Sequence, residues 1–102
     1  MPAAARGSGK DSVNTNHGCD PTTVTAACSP NVLVNGKGIV RFGDAVASHD
    51  YPAPPCSPHA PTMDENCSAS VYINNKKAAY LGSKYAGHDI TTGSPNVFIG
   101  SK

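Results

Sequence analysis

The sequence predicts an all-β fold made of three short hairpin units that close into a ring. Three observations predict it. One ten-residue pattern recurs three times. A second, shorter pattern also recurs three times. Gly and Pro supply 10 and 9 of the 102 residues, so few stretches of helical length run uninterrupted. The length suits one domain, residues 1–102.

The first pattern spans residues 28–37, 67–76 and 93–102. Each copy carries Ser29, Ser68 or Ser94, then a branched apolar run: Val32-Leu33-Val34, Val71-Tyr72-Ile73, Val97-Phe98-Ile99. A Val-x-Val/Ile run is a short strand with its branched side chains on one face. Asn35-Gly36 is a strong two-residue hairpin signal, because a type I′ turn needs positive φ at both positions. Asn74-Asn75 is a weaker form of the same turn. Cys28 and Cys67 hold the position that Gly93 holds in the third copy, which suits small packing residues.

The second pattern spans residues 2–8, 38–44 and 77–83, each ending on a glycine turn at Gly7, Gly43 or Gly82. These are read as short strands. The alanines of two copies, Ala3, Ala4 and Ala5 and then Ala78 and Ala79, point to close packing near an axis. The chain opens on a second strand and closes on a first strand, so its ends are expected to meet and complete the ring. A closed ring leaves few free strand edges.

Composition narrows the function. The net charge is +1 and no Lys/Arg cluster is present, which gives no basis for nucleic-acid binding by bulk charge. No apolar run approaches the ~20 residues of a membrane-spanning helix. The first six residues, Met1 to Arg6, carry no apolar leader core, so the thiols are expected in a reducing compartment.

Histidine placement follows the repeat. His49 and His88 each lie six residues after the turn glycines Gly43 and Gly82, and His17 lies ten after Gly7. Each unit thus delivers one imidazole, and three-fold arrangement would bring them together on the axis. His59 lies in a Pro-rich loop that begins at Tyr51. Four imidazoles, or three with a thiolate from Cys19 or Cys56, suit tetrahedral zinc. A four-ligand site has no open position and is structural. Asp50 and Asp89, each directly after a histidine, could orient an imidazole or face solvent.

Pro2-Ala3-Ala4-Ala5-Arg6-Gly7-Ser8 and Arg41-Phe42-Gly43-Asp44 resemble the Pro-Ala-Ala-Arg motif of the PAAR-repeat family. So do the Val-x-Val-Asn-Gly-Lys run at Asn35, the closing Gly93-Ser94-Pro95-Asn96-Val97-Phe98-Ile99-Gly100, and the placement of His17-Gly18-Cys19. The resemblance covers the whole chain. It implies a β cone that caps and sharpens a trimeric β-helical spike. That spike is the VgrG-like protein of type VI secretion systems or the central spike of a bacteriophage tail baseplate, both membrane-puncturing contractile injection systems. It implies an apical zinc, with iron as an alternative metal, held by His17, His49, His59 and His88. The family commonly places a Cys in the last loop, where this chain has His88, so Cys19 and Cys56 stay as alternative ligands. The motif positions carried over are Ala3, Ala4, Arg6, Gly7, Arg41, Gly43, Asp44 and Gly82. Ser8 and Ser83 stand where the motif has Asp, and Tyr80 stands for Arg.

The expected protein is a bare tip without an effector extension, monomeric in isolation. It is expected at a virion tail tip or in the bacterial cytoplasm before export, touching the target membrane only transiently. Two other classes fit parts of the sequence. A small thiol enzyme would use Cys56 with His59 or His49, but adjacent His-Asp pairs rarely give base–orienter geometry and no nucleophile elbow is present. A disulfide-rich secreted binding module would pair the four cysteines in one of three connectivities.

Overall fold

The computed structural model describes residues 1–15, 21–50 and 58–100. Every regular element among them is a strand, and none exceeds three residues. In chain order they are β1 (Ser12–Asn14), β2 (Thr22–Val24), β3 (Leu33–Val34), β4 (Lys37–Gly38), β5 (His49–Asp50), β6 (Pro58–His59), β7 (Met63–Glu65), β8 (Tyr72–Ile73), β9 (Lys76–Lys77), β10 (Lys84–Tyr85) and β11 (His88–Ile90).

The two expected hairpins form. β3 pairs with β4 antiparallel, Leu33 opposite Gly38, and β8 with β9, Tyr72 opposite Lys77. Their turns have positive φ at both residues, 53° and 80° at Asn35 and Gly36, and 54° and 67° at Asn74 and Asn75. The third copy meets the chain start: Ala3 bridges Phe98, and the Ala4 N–H donates to Val97 O at 2.9 Å.

Three inner segments then bond to one another in a circuit. The Ala5 N–H donates to Ala79 O (3.2 Å), that of Ala79 to Val40 O (2.9 Å), and that of Val40 to Ala5 O (3.0 Å). Bridges Arg6–Ile39, Arg41–Ala78 and Tyr80–Ala4 run beside it. Ala4, Ala5, Ala78, Ala79 and Val40 are fully buried here. This is the close packing that the alanine-rich strands predict.

A second tier stands on this ring. Its sheet has the order β2-β1-β11-β10-β7. Its two edges meet through residues 45 and 46, where Thr25 bridges Val46 and Ala45 bridges Thr62. The sheet is therefore closed, and its edge groups are paired rather than open to another chain. Inside lie Val13, Val46, Met63, Tyr85 and Ile90, clustered with Ala5, Val40 and Ala79. A separate cluster of Ala4, Val34, Ile39, Ala78 and Ile99 lies on the other face of the ring. Adjacent residues such as Ala4 and Ala5 fall in different clusters because successive strand side chains alternate.

The structure shifts the alignment of the shorter repeat by one residue. The same bond, to Val32 O, Val71 O and Val97 O, is made by Ile39, Ala78 and Ala4. Arg6 therefore matches Arg41, and Ser8 (φ 52°) matches the turn glycines Gly43 (88°) and Gly82 (98°). Gly7 matches Phe42 and is glycine for a steric reason, since a Cβ there would overlap Cys28. Gly38 is similarly confined, because its Cβ would overlap Ser29 O. By contrast Gly36 faces open space but has φ +80°. Gly38→Ala is expected to destabilise by about 3 kcal/mol, an overpacking cost, and Gly36→Ala by only about 1 kcal/mol, the cost of left-handed backbone. Urea unfolding of both variants reads the difference, and equal losses would contradict it.

Candidate functional site

Two arginines clamp the units together. The Arg6 guanidinium donates to Asp11 from Nε (3.2 Å) and Nη2 (2.8 Å), to Gly93 O (2.9 Å), and to Asn35 Oδ1 (3.4 Å). Arg41 repeats this on Asp44 (3.0 and 3.0 Å), Cys28 O (3.3 Å) and Asn74 Oδ1 (3.1 Å). Each carboxylate also accepts its arginine's own backbone N–H, at 2.6 and 2.8 Å. One side chain thus ties a turn, a strand entry and a hairpin turn. Its planar fork matches the carboxylate, which a lysine cannot do. The third copy is uncharged: the Tyr80 N–H donates to Ser83 Oγ at 2.9 Å.

Asp11, not Ser8, is the partner of Arg6. Two extra residues in that turn, against the Arg41–Asp44 spacing, displace the aspartate beyond the position where the sequence pattern places it. Sequence reasoning also left the serines without a role. Ser29, Ser68 and Ser94 Oγ accept the N–H of Val32, Val71 and Val97 at 2.9, 3.0 and 2.9 Å. Ser29 and Ser94 donate in turn to Asn74 and Asn35 Oδ1, at 2.7 and 2.6 Å. Ser recurring in every copy was the available signal.

The backbone positions of His49, His59 and His88 lie at one end of the closed sheet, as register alone shows. Asn14 pairs with Asp89 and Tyr85 with His88, so the exit of β1, the 86–87 turn and His88 share an end. Thr15 and Pro21, which flank the stretch holding His17 and Cys19, are joined there by a 3.0 Å bond. Tyr85 also pairs with Met63, so the entry to β7 lies at this end. β5 and β6 extend the Ala45–Thr62 ladder in the same direction, with His49 opposite His59. His17, Cys19 and Cys56 lie outside the described residues. Among the described residues no group of three His, Cys, Asp or Glu side chains is gathered for a metal.

His88 is buried, and its Nδ1 lies 3.3 Å from Ala86 O. A carbonyl only accepts, so Nδ1 donates this bond, the orientation in which a neutral imidazole presents Nε2 to a metal. Ala86 sits at φ 49°, held by its N–H bond to Asp64 Oδ1 at 2.9 Å. Asp89 faces Lys84 at 3.5 Å.

Cys28 and Cys67 are free thiols. Burial pushes the Cys67 thiol up to about 11, the reverse of what a nucleophile needs.

A profile of the PAAR motif matches residues 14–87, most of the chain. The chain belongs to the PAAR-motif family, a family of structural spike-tip proteins of contractile injection systems. No curated protein matches the sequence.

The clamps and the thiol each give a test. Asp44→Ser leaves the partly buried Arg41 charge without its carboxylate, and should cost about 2 kcal/mol. Adding Arg41→Tyr copies the Tyr80–Ser83 pair and should restore more than half; a double variant no better than the single one would contradict the equivalence. For Cys67, alkylation of the folded protein should stay slow at pH 9, where an ordinary thiol is ionised, and rise only toward pH 11. Fast alkylation at pH 9 without unfolding would contradict its burial.

Proposed function

We propose that this chain is the tip of a contractile spike: three related hairpin units wound about a pseudo-three-fold axis into a cone. Its broad end would cap a trimeric β-helical spike, and zinc would staple its narrow end. The observation that carries this reading is the closed Ala5–Ala79–Val40 circuit of backbone bonds. Such a circuit, repeated in the bridges and serine bonds around it, suits a partner with three equivalent chains. The dimensions agree: 40 × 24 × 23 Å, one long axis and two nearly equal short ones.

The docking end is assigned to the face away from the histidines. There Val32, Val71 and Ile73 lie partly buried over the second cluster, with Val97 exposed beside them. These apolar groups ring the polar Ser–Asn network and offer a flat surface to a blunt spike.

At the other end His49, His59 and His88, with His17, would form a donor set whose chemistry fits zinc, and the Nδ1 bond of His88 to Ala86 O suits it. Zinc would supply tetrahedral bonds to the histidine-bearing segments, where short strands give the chain little cohesion of its own. The role is mechanical, since a rigid point concentrates force on a membrane. The buried clamps and the raised Cys67 thiol fit structure better than thiol catalysis.

Metal content of protein purified without a His-tag tests this, for the wild type and for His88→Ala. About one zinc per chain, sharply reduced in the variant, is the expected result, and stripping it should lower the melting temperature. Zinc retained in the variant would move that ligand to Cys19 or Cys56. Absence of metal from the wild type would overturn the staple. Separately, Val71→Asp should abolish co-purification with the trimeric spike protein while leaving the fold intact.

A further inference from the structure

The three flanks of the molecule are not alike. At one of them Phe42 and Tyr72, 46% and 55% exposed, line an open groove of about 260 Å³ together with Asn75, Lys76 and Lys77. Corresponding positions elsewhere cannot build it. The Phe42 N–H bonds Lys77 O, that of Gly7 bonds Gly38 O, and that of Leu81 bonds Ala3 O, each at 2.8 Å. The matching triples are therefore Phe42, Tyr72 and Lys77; Gly7, Leu33 and Gly38; and Leu81, Phe98 and Ala3. Only the first pairs two aromatic rings with a lysine at the third position, and Lys76 adds a second charge beside it.

Sterics enforce the difference at one of the other two flanks. Gly7 has no room for a side chain, because a Cβ there meets Cys28. Phe42 stands half in solvent. Two exposed aromatic rings beside two exposed lysines, with no carboxylate among the lining residues, form an apolar and cationic surface. Aromatic rings give a peptide side chain a large rigid contact, and lysines select anionic neighbours.

We propose that this groove is a docking site for one acidic peptide segment with an apolar anchor, carried by a partner present in a single copy. The symmetry decides the copy number. A partner with three equivalent chains would meet three flanks of matching backbone, and among the described residues only one of these joins two aromatic rings to a lysine. Charge complementarity decides the chemistry: the anchor lies between Phe42 and Tyr72, and one or two carboxylates meet Lys76 and Lys77. Tyr72 alternates along β8 with Val71 and Ile73, so its ring faces away from the apolar groups assigned to the broad end.

A displayed library of random dodecapeptides, selected on the immobilised protein, tests this. The expected result is enrichment of peptides that join Asp or Glu to a bulky apolar residue. Titration calorimetry should give one peptide per chain. Phe42→Ser and Lys77→Ala should each weaken the enriched peptide by about tenfold or more, and added salt should weaken it further. Leu81→Ser, the matching position on another flank, should leave affinity unchanged. All three residues are exposed, and melting curves verify that the variants fold. Failure to enrich such peptides, or equal binding by all variants, would overturn the proposal. So would equal loss in Leu81→Ser. None of these outcomes depends on zinc content or on spike binding, so either reading can fail without the other.

Discussion

The fold depends on three backbone hydrogen bonds that close on themselves. Ala5, Ala79 and Val40 each donate to the next, and no member is free to add a further strand. The constraint is geometric. Three backbones can approach one axis only if the side chains there are small, and alanine holds the inner positions of two segments. The circuit also explains how strands of two or three residues persist. A two-stranded hairpin is marginal alone, but here the hairpins are bonded to neighbours in other units. Much of the cohesion therefore comes from long-range pairing: Arg6, for example, reaches Gly93.

Around that circuit the chain solves one problem in two ways. Where the turn must be fixed to a hairpin of the next unit, Arg6 and Arg41 use a buried ion pair. The third unit instead joins Tyr80 and Ser83 by a neutral bond, and Ser83 donates on to Asn66 O at 2.7 Å. A buried ion pair loses solvation that its mutual attraction must offset. The neutral version avoids that cost and gives up the reach of a guanidinium, which spans three segments. Tyr85 marks another departure. It fills the closed sheet beside Val13 and Val46, yet its buried hydroxyl has no hydrogen-bond partner among the described residues. Burial accordingly pushes its ionisation well above the ordinary tyrosine range. The ring's volume, not its hydroxyl, is what the core uses.

Much of this was legible in the sequence, and the reasons for the rest are specific. Turns read well because positive φ is a local demand: Asn35-Gly36 and Asn74-Asn75 adopt it as expected. The longer repeat also aligned correctly, since Cys28 and Gly93 precede serines that make the same bonds. The shorter repeat aligned one residue out. Gly7 imitates a turn glycine, and the extra length before Asp11 moved its aspartate out of view. Only hydrogen bonding between units reveals the true match, and no local pattern encodes it. The histidines divide similarly. The common end of His49, His59 and His88 follows from strand direction, whereas no local pattern in the Pro-rich sequence between His49 and His59 encodes how their side chains meet.

The repeat holds some features constant across the three units and lets others vary. Bonds at the axis recur with near-identical partners in all three, because any unequal member would open the circuit. Positions two residues further along, on the outer flank, carry Gly7, Phe42 and Leu81, which share neither size nor chemistry. Their backbone N–H groups nevertheless make the same 2.8 Å bond. The fold thus fixes the backbone at these positions and leaves the side chain undetermined. A surface needing three-fold equivalence must lie near the axis, at the ends of the molecule. A surface of individual character can lie only on the flanks, where the backbone is repeated and the side chains are not.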